Sequence, residues 1–129
     1  MTRLLPRLPP LCRRLWLSLC LPLSGTHWRR SAHGLLLPLS TLVRSRTGRD
    51  LLGLLVSVPV FLLSALSWYL VGRIVTYGLF WGDGDHSDAW GGPTLLGAWV
   101  VHALIAFVLV AAAMSASVPL MRLHHRLTS

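Results

Sequence analysis

Charge is missing where a soluble domain would need it most. Residues 51–71 contain no Asp, Glu, Lys, Arg or His, and residues 94–121 contain one such group, His102. At about 1.5 Å of rise per residue, roughly 20 residues of helix match a hydrocarbon core about 30 Å thick, and both stretches are long enough. Glutamate and lysine are absent altogether: the twelve basic residues are all Arg and the four acids all Asp, a bias suggestive of a GC-rich genome. Without Glu, a calcium loop that closes on a bidentate glutamate is excluded. Cysteine is limited to Cys12 and Cys20. They show no metal-site spacing, and on a cytoplasmic face no structural disulfide is expected of them, although palmitoylation stays open. No nucleophile elbow, phosphate loop, zinc-protease motif or converging acid pair occurs. The sequence therefore predicts no enzyme, no cofactor and no resident metal.

Apolar residues dominate what is present: 53% of 129 residues, with a mean hydropathy of +0.62. The expected fold is an all-α membrane protein of one domain, two transmembrane helices in an antiparallel hairpin, with spans at about 51–79 and 94–121 and an outer loop at 82–92. The net charge of +8 would suggest nucleic acid in a soluble protein. Nine of the twelve Arg precede Asp50, however, and there they read as a membrane-surface and topology signal, with no nucleic-acid partner. Arg44, Arg46 and Arg49 flank the first span and Arg122 and Arg126 follow the second, whereas the loop side carries only Arg73. Basic flanks stay inside, so both termini are expected in the cytoplasm, with the protein multi-pass in the inner (plasma) membrane of a bacterium and residues 122–129 forming a basic tail. Trp68, Tyr69, Tyr77, Trp81, Trp90 and Trp99 gather towards the loop, where amphipathic rings mark the outer interface.

Residues 1–49 mix Leu and Arg with Pro6, Pro9, Pro10, Pro22 and Pro38, so one continuous helix is excluded. A disordered or interface-lying arm is expected, with short apolar pieces at 11–21 and 35–43 resting on anionic lipid. Arg13 and Arg14 before the apolar run 16–21 resemble the start of a signal peptide, but only a poor small-residue site follows, and a start codon set upstream of the true one fits equally well.

Within the spans, Gly53, Ser57, Ser64 and Ser67 fall near one helical face, which should pack. Pro59 should kink the first helix, with Ser57 or a neighbouring helix meeting the freed Leu55 carbonyl, and the helix should run on past Arg73 to about Leu79. The second helix should open at Gly91-Gly92-Pro93 with Pro93 as its first residue. Ala98, His102, Ala106, Ala113 and Ser117 then form a stripe of small residues around one imidazole. Counting in from Thr94, His102 lies about 12 Å deep, level with Ser64 and Ser67 of an antiparallel partner. These three residues are the candidate site, either for proton or ligand sensing or for a packing hydrogen bond. Asp83, Asp85, His86 and Asp88 in the outer loop read as a solvated acidic turn, with a divalent cation as the alternative. His124-His125, beside Arg122 and Arg126, reads as a basic interface anchor.

The segment from Asp88 through Trp90-Gly-Gly-Pro-Thr-Leu-Leu-Gly-Ala-Trp-Val-Val-His102, followed by an apolar helix and an Arg- and His-containing end, resembles the last part of the membrane sensor domain that precedes the kinase core in some bacterial two-component histidine kinases and also occurs alone. The resemblance covers roughly the last eighty residues, and residues 51–79 match only in character. It implies two hairpins in the family, of which this chain carries the second. No phospho-accepting His motif or ATP-binding region is present, so kinase activity is not implied. The resulting expectation is a sensory or signal-input module acting through a partner membrane protein such as a histidine kinase, the bilayer being its other partner. The alternative is a small accessory subunit of a transporter or other membrane complex. Neighbouring kinase or permease genes would separate the two.

Overall fold

The computed structural model describes residues 9–44, 48–85 and 87–128. Arg46 and His86, and the side chains of Arg44 and Arg49, lie outside the described residues. The described chain is helical, with α1 at Pro10–Cys20, α2 at Gly25–Arg44, α3 at Gly48–Val75 and α4 at Leu95–Thr128, and short 3₁₀ turns at Leu21–Leu23 and Tyr77–Phe80. Two of these helices, over Leu51–Val75 and Leu95–Thr128, are long and apolar enough to cross a membrane.

Residues 10–44, expected as an irregular or interface-lying arm, are helical, and proline sets where they break. Pro10 starts α1 at a position where a missing N–H costs nothing. Pro22 falls in the 3₁₀ turn that ends α1, and the Trp28 indole N–H donates to the Pro22 carbonyl at 2.8 Å, which fixes the corner. Ser24 then opens α2, its carbonyl accepting from the N–H of His27 at 3.0 Å. Pro38 sits inside α2 without ending it, because the helix lies along α3, and packing outweighs the one backbone bond lost at Gly34. Trp28 meets Trp68 edge-on at 5.0 Å, Gly34 faces Ser64 and Val60, and Thr41 lies near Gly53. Residue numbers thus rise along α2 as they fall along α3.

The interior is small and polar. Gly53, Ser57, Ser64 and Ser67 are all buried, so the face read from the spacing is the one that packs, with Val60 at its centre. From α4 come Ala98, Ala106, Val110, Ala111, Ala113 and Met114. Leu55, Leu62, Leu104 and Val108 point outward, Leu55 at 70% exposed and Leu104 at 63%, against 0% for Ser57 and 1% for Ser67. Ser57 and Ser67 satisfy themselves on their own helix: Ser57 donates to Leu54 O at 2.7 Å and Ser67 to Leu63 O at 2.9 Å. Ser57 thus serves Leu54 and not the carbonyl of Leu55 that Pro59 leaves free.

Both spans have different ends from those expected. The first stops at Val75 and tightens into a 3₁₀ turn instead of reaching Leu79, with Thr76 donating both its N–H and its hydroxyl to Gly72 O. The second starts at Leu95, and Thr94, not Pro93, supplies the cap: its Oγ1 accepts from Gly97 N at 3.2 Å. Gly91 and Gly92 turn the chain into that cap at φ +105° and +90°, a region open to glycine. The second helix also runs through Pro119 to Thr128, so residues of the expected tail are its last turns.

A Cβ at Gly34 would collide with Ser64 Oγ and press on Val60, whereas one at Gly72 would meet open space. Gly34→Leu should therefore lower stability by about 1–3 kcal/mol, the usual cost of overpacking. Gly72→Ala should leave it level or raise it by up to about 1 kcal/mol. Thermal unfolding in a mild detergent reads both, and an unchanged midpoint for Gly34→Leu would remove the α2–α3 contact as drawn.

Candidate functional site

His102 is half-buried on α4, about two turns below the cap. Its Nδ1 lies 2.7 Å from the carbonyl of Ala98 on the preceding turn. A carbonyl can only accept, so Nδ1 carries the proton and Nε2 is left as the acceptor nitrogen. Tyr77 supplies the second contact. Its hydroxyl stands 3.3 Å from the same Nδ1, and the two rings sit 5.0 Å apart at 40°. Tyr77 reaches this position because α3 stops at Val75: the 3₁₀ turn swings the phenol back over α4, and Trp81 packs on its other side at 6.1 Å. Trp99 ties the same corner by donating its indole N–H to Ile74 O at 3.0 Å, one of the carbonyls a helix end leaves open. A shallow cleft of about 230 Å³ adjoins the pair, lined among others by Tyr69, Arg73, Tyr77 and His102.

The expected cluster of His102 with Ser64 and Ser67 does not form. Ser64 faces Gly34 of α2, and Ser67 donates to its own helix, while His102 has Tyr77 and Ala98. The physical reason is register. Ile74 pairs with Trp99 and Tyr77 with His102 at one end, and Gly53 lies by His124 and Thr128 at the other. His102 is therefore level with the end of α3, about two to three turns from Ser64 and Ser67.

In the loop, Asp83, Asp85 and Asp88 are exposed, and Asp85 Oδ1 accepts from Ser87 N at 2.9 Å, an ordinary side-chain turn. Among the described residues no three metal-ligating side chains gather.

Sequence reasoning missed His124. Expected as part of a surface anchor, it is 6% exposed and bonds through Nε2 to Thr41 Oγ1 at 3.0 Å, joining α4 to α2. His125, next along, is exposed and touches it edge-on at 5.9 Å. Gly53 lies beside the ring and makes room for Thr128: a Cβ there would be 2.6 Å from Thr128 Cγ2, and 4.0 Å from His124 Nε2. One signal was available: adjacent helical residues point about 100° apart, so a His-His pair beside a buried stripe puts one of the two inside.

No family model matches the chain, and comparison with curated proteins and with solved structures gives no match.

Cysteines placed at 77 and 102 should cross-link more readily than pairs at 64 and 102 or 67 and 102. A dominant 67–102 product would restore the register expected from depth alone.

Proposed function

We propose that this chain is a non-enzymatic integral membrane protein, an antiparallel transmembrane hairpin of α3 and α4 that serves as a sensory or signal-input module for a partner membrane protein such as a histidine kinase. One observation carries the membrane part. The most apolar stretches of the two helices are only 28% and 22% buried, and apart from Val60, Val110 and Met114 what they bury is Ser, Gly and Ala, while Leu55, Leu62, Leu104, Val108 and other large side chains face outward. Water would reverse that arrangement, because large apolar side chains belong inside. Lipid accepts it: tails are as apolar as leucine, and small residues let helices approach closely. The aromatic corner of Tyr77, Trp81 and Trp99 supports an interface at the loop end.

The input reading is supported by the likeness of residues 88–102 to a sensor-domain segment and by the Tyr77–His102 pair, a polar contact between the end of one span and the start of the other. A change in protonation or ligation at His102 alters that contact, and each helix then carries the change towards its cytoplasmic end. With both termini inside, the inner membrane is the compartment that fits the Arg distribution.

Topology is tested with cysteines at 87 and 129 in a chain whose Cys12 and Cys20 are replaced. A membrane-impermeant maleimide should label 87 on intact spheroplasts and 129 only after permeabilisation. Labelling of both from one side would overturn the hairpin. For the signalling role, response-regulator phosphorylation in the native host is compared with and without the chain, and with His102→Leu and Tyr77→Phe in its place. A shift that either substitution abolishes is expected. Insensitivity of every regulator would leave the accessory-subunit reading in possession.

A further inference from the structure

Between α2 and α4 runs a cleft of about 490 Å³ that the signalling reading does not use. His27, Arg30 and His33 line it from α2, and Arg122 and His125 from α4. Apolar surface fills the space between them, contributed by Leu37, Met114, Val118 and Met121. The spacing accounts for the grouping: 27, 30, 33 and 37 fall on one helical stripe, as do 114, 118, 121, 122 and 125 on the facing one. Among the described side chains, Asp83, Asp85 and Asp88 do not line the cleft and lie in the loop at the other end of α4. Among the described residues, two guanidiniums from different helices thus line one cavity with three imidazoles and no carboxylate. Burial, and after it the positive charge of Arg30, hold the His27 imidazole below its ordinary value.

We infer that this cleft binds the phosphate headgroup of an anionic phospholipid, with Arg30 and Arg122 holding the phosphate oxygens and an acyl chain lying on Leu37, Met114, Val118 and Met121. Phosphate fits the donor set better than a carboxylate does. It presents several oxygens in different directions, so guanidiniums approaching from opposite walls can each make paired hydrogen bonds while imidazole N–H groups take the rest. The apolar floor, with its adaptable methionines, argues for an amphiphile over a free ion. The bilayer supplies a further reason. Because α2 lies along α3, insertion of α3 brings Arg30 towards the bilayer, where a guanidinium is costly unless it finds an anion. The phosphate chemistry rests on the cleft alone. Its lipid source rests on the transmembrane reading, which the maleimide labelling tests separately.

The test uses the full chain purified in an uncharged detergent and titrated calorimetrically with short-chain phosphatidic acid, short-chain phosphatidylcholine and inorganic phosphate. Saturable binding of phosphatidic acid is expected, with inorganic phosphate and phosphatidylcholine at least about tenfold weaker. Arg30→Gln and Arg122→Gln should each weaken phosphatidic acid binding by about tenfold, the loss of one charged hydrogen-bonding group. Arg29→Gln, exposed on the same helix but off the cleft, should stay within about twofold of the parent. Circular dichroism of each variant confirms that the helices persist, and a variant that unfolds is replaced by Arg→Lys, which should bind at intermediate strength. Equal losses in Arg29→Gln and Arg30→Gln would overturn the site, since net charge alone would then explain binding. Equal affinity for inorganic phosphate would overturn the lipid assignment, and equal affinity for phosphatidylcholine would overturn the phosphate recognition.

Discussion

Close approach along one face of α3 is the constraint on which the rest of the structure depends. That face, Gly53, Ser57, Val60, Ser64 and Ser67, meets α2 through Gly34 and Thr41 and meets α4 through His124 and Thr128. Apart from Val60, glycine and short hydroxyls occupy it, and Ser57 and Ser67 return their hydroxyls to carbonyls of the same helix. Such bonds ask nothing of a neighbour, so the face behaves as a smooth surface against which two other helices lie flat. In a bilayer, association of such faces rests on van der Waals contact and not on removal of large apolar area from water. This explains why the buried set contains so few large side chains, while Leu and Val crowd the outside.

What could be read from the sequence was whatever depends on periodicity within one helix. The small-residue face of α3 and the alanine stripe of α4 follow from a repeat of 3.6 and need no knowledge of the partner. Helix ends were less legible, because a shift of one turn depends on local competition. Thr76 closes α3 by donating twice to Gly72 O, and Thr94 outcompetes Pro93 as the start of α4. Those two small choices set the register of α3 on α4, and the register decides that His102 meets Tyr77 and not Ser64 or Ser67. The candidate site was therefore half legible: the imidazole stands out in an apolar run, and its partner does not.

The helix α2 was hidden for a different reason. Pro38 and the pair Arg29-Arg30 argue against a packed helix when the segment is read alone, and both arguments are sound for an isolated peptide. They are outweighed by contacts distant in sequence: Trp28 on Trp68, Gly34 against Ser64, Thr41 with His124. The same long-range contacts bury His124, whose surroundings, at 83 residues' separation from Thr41, no local pattern describes.

The three long helices are consequently held by unlike forces. In a bilayer, α3 and α4 are placed by apolar area, since their outward Leu and Val residues gain about 25 cal/mol for each Å² withdrawn from water. The C-terminal half of α2, with Leu36, Leu39, Leu42 and Val43 outward, behaves in the same way. Its N-terminal half does not, because Arg29 and Arg30 are exposed and would each cost a few kcal/mol at depth. That cost is comparable with the packing gained at Trp28 and Gly34, so anything that neutralises a guanidinium shifts the balance towards docking. The position of α2 is thereby coupled to charge, whereas the positions of α3 and α4 are not. His124, bonded to Thr41 and lying beside Gly53, ties the apolar C-terminal half of α2 to α3 and α4, so the charge-coupled part of α2 is its N-terminal half.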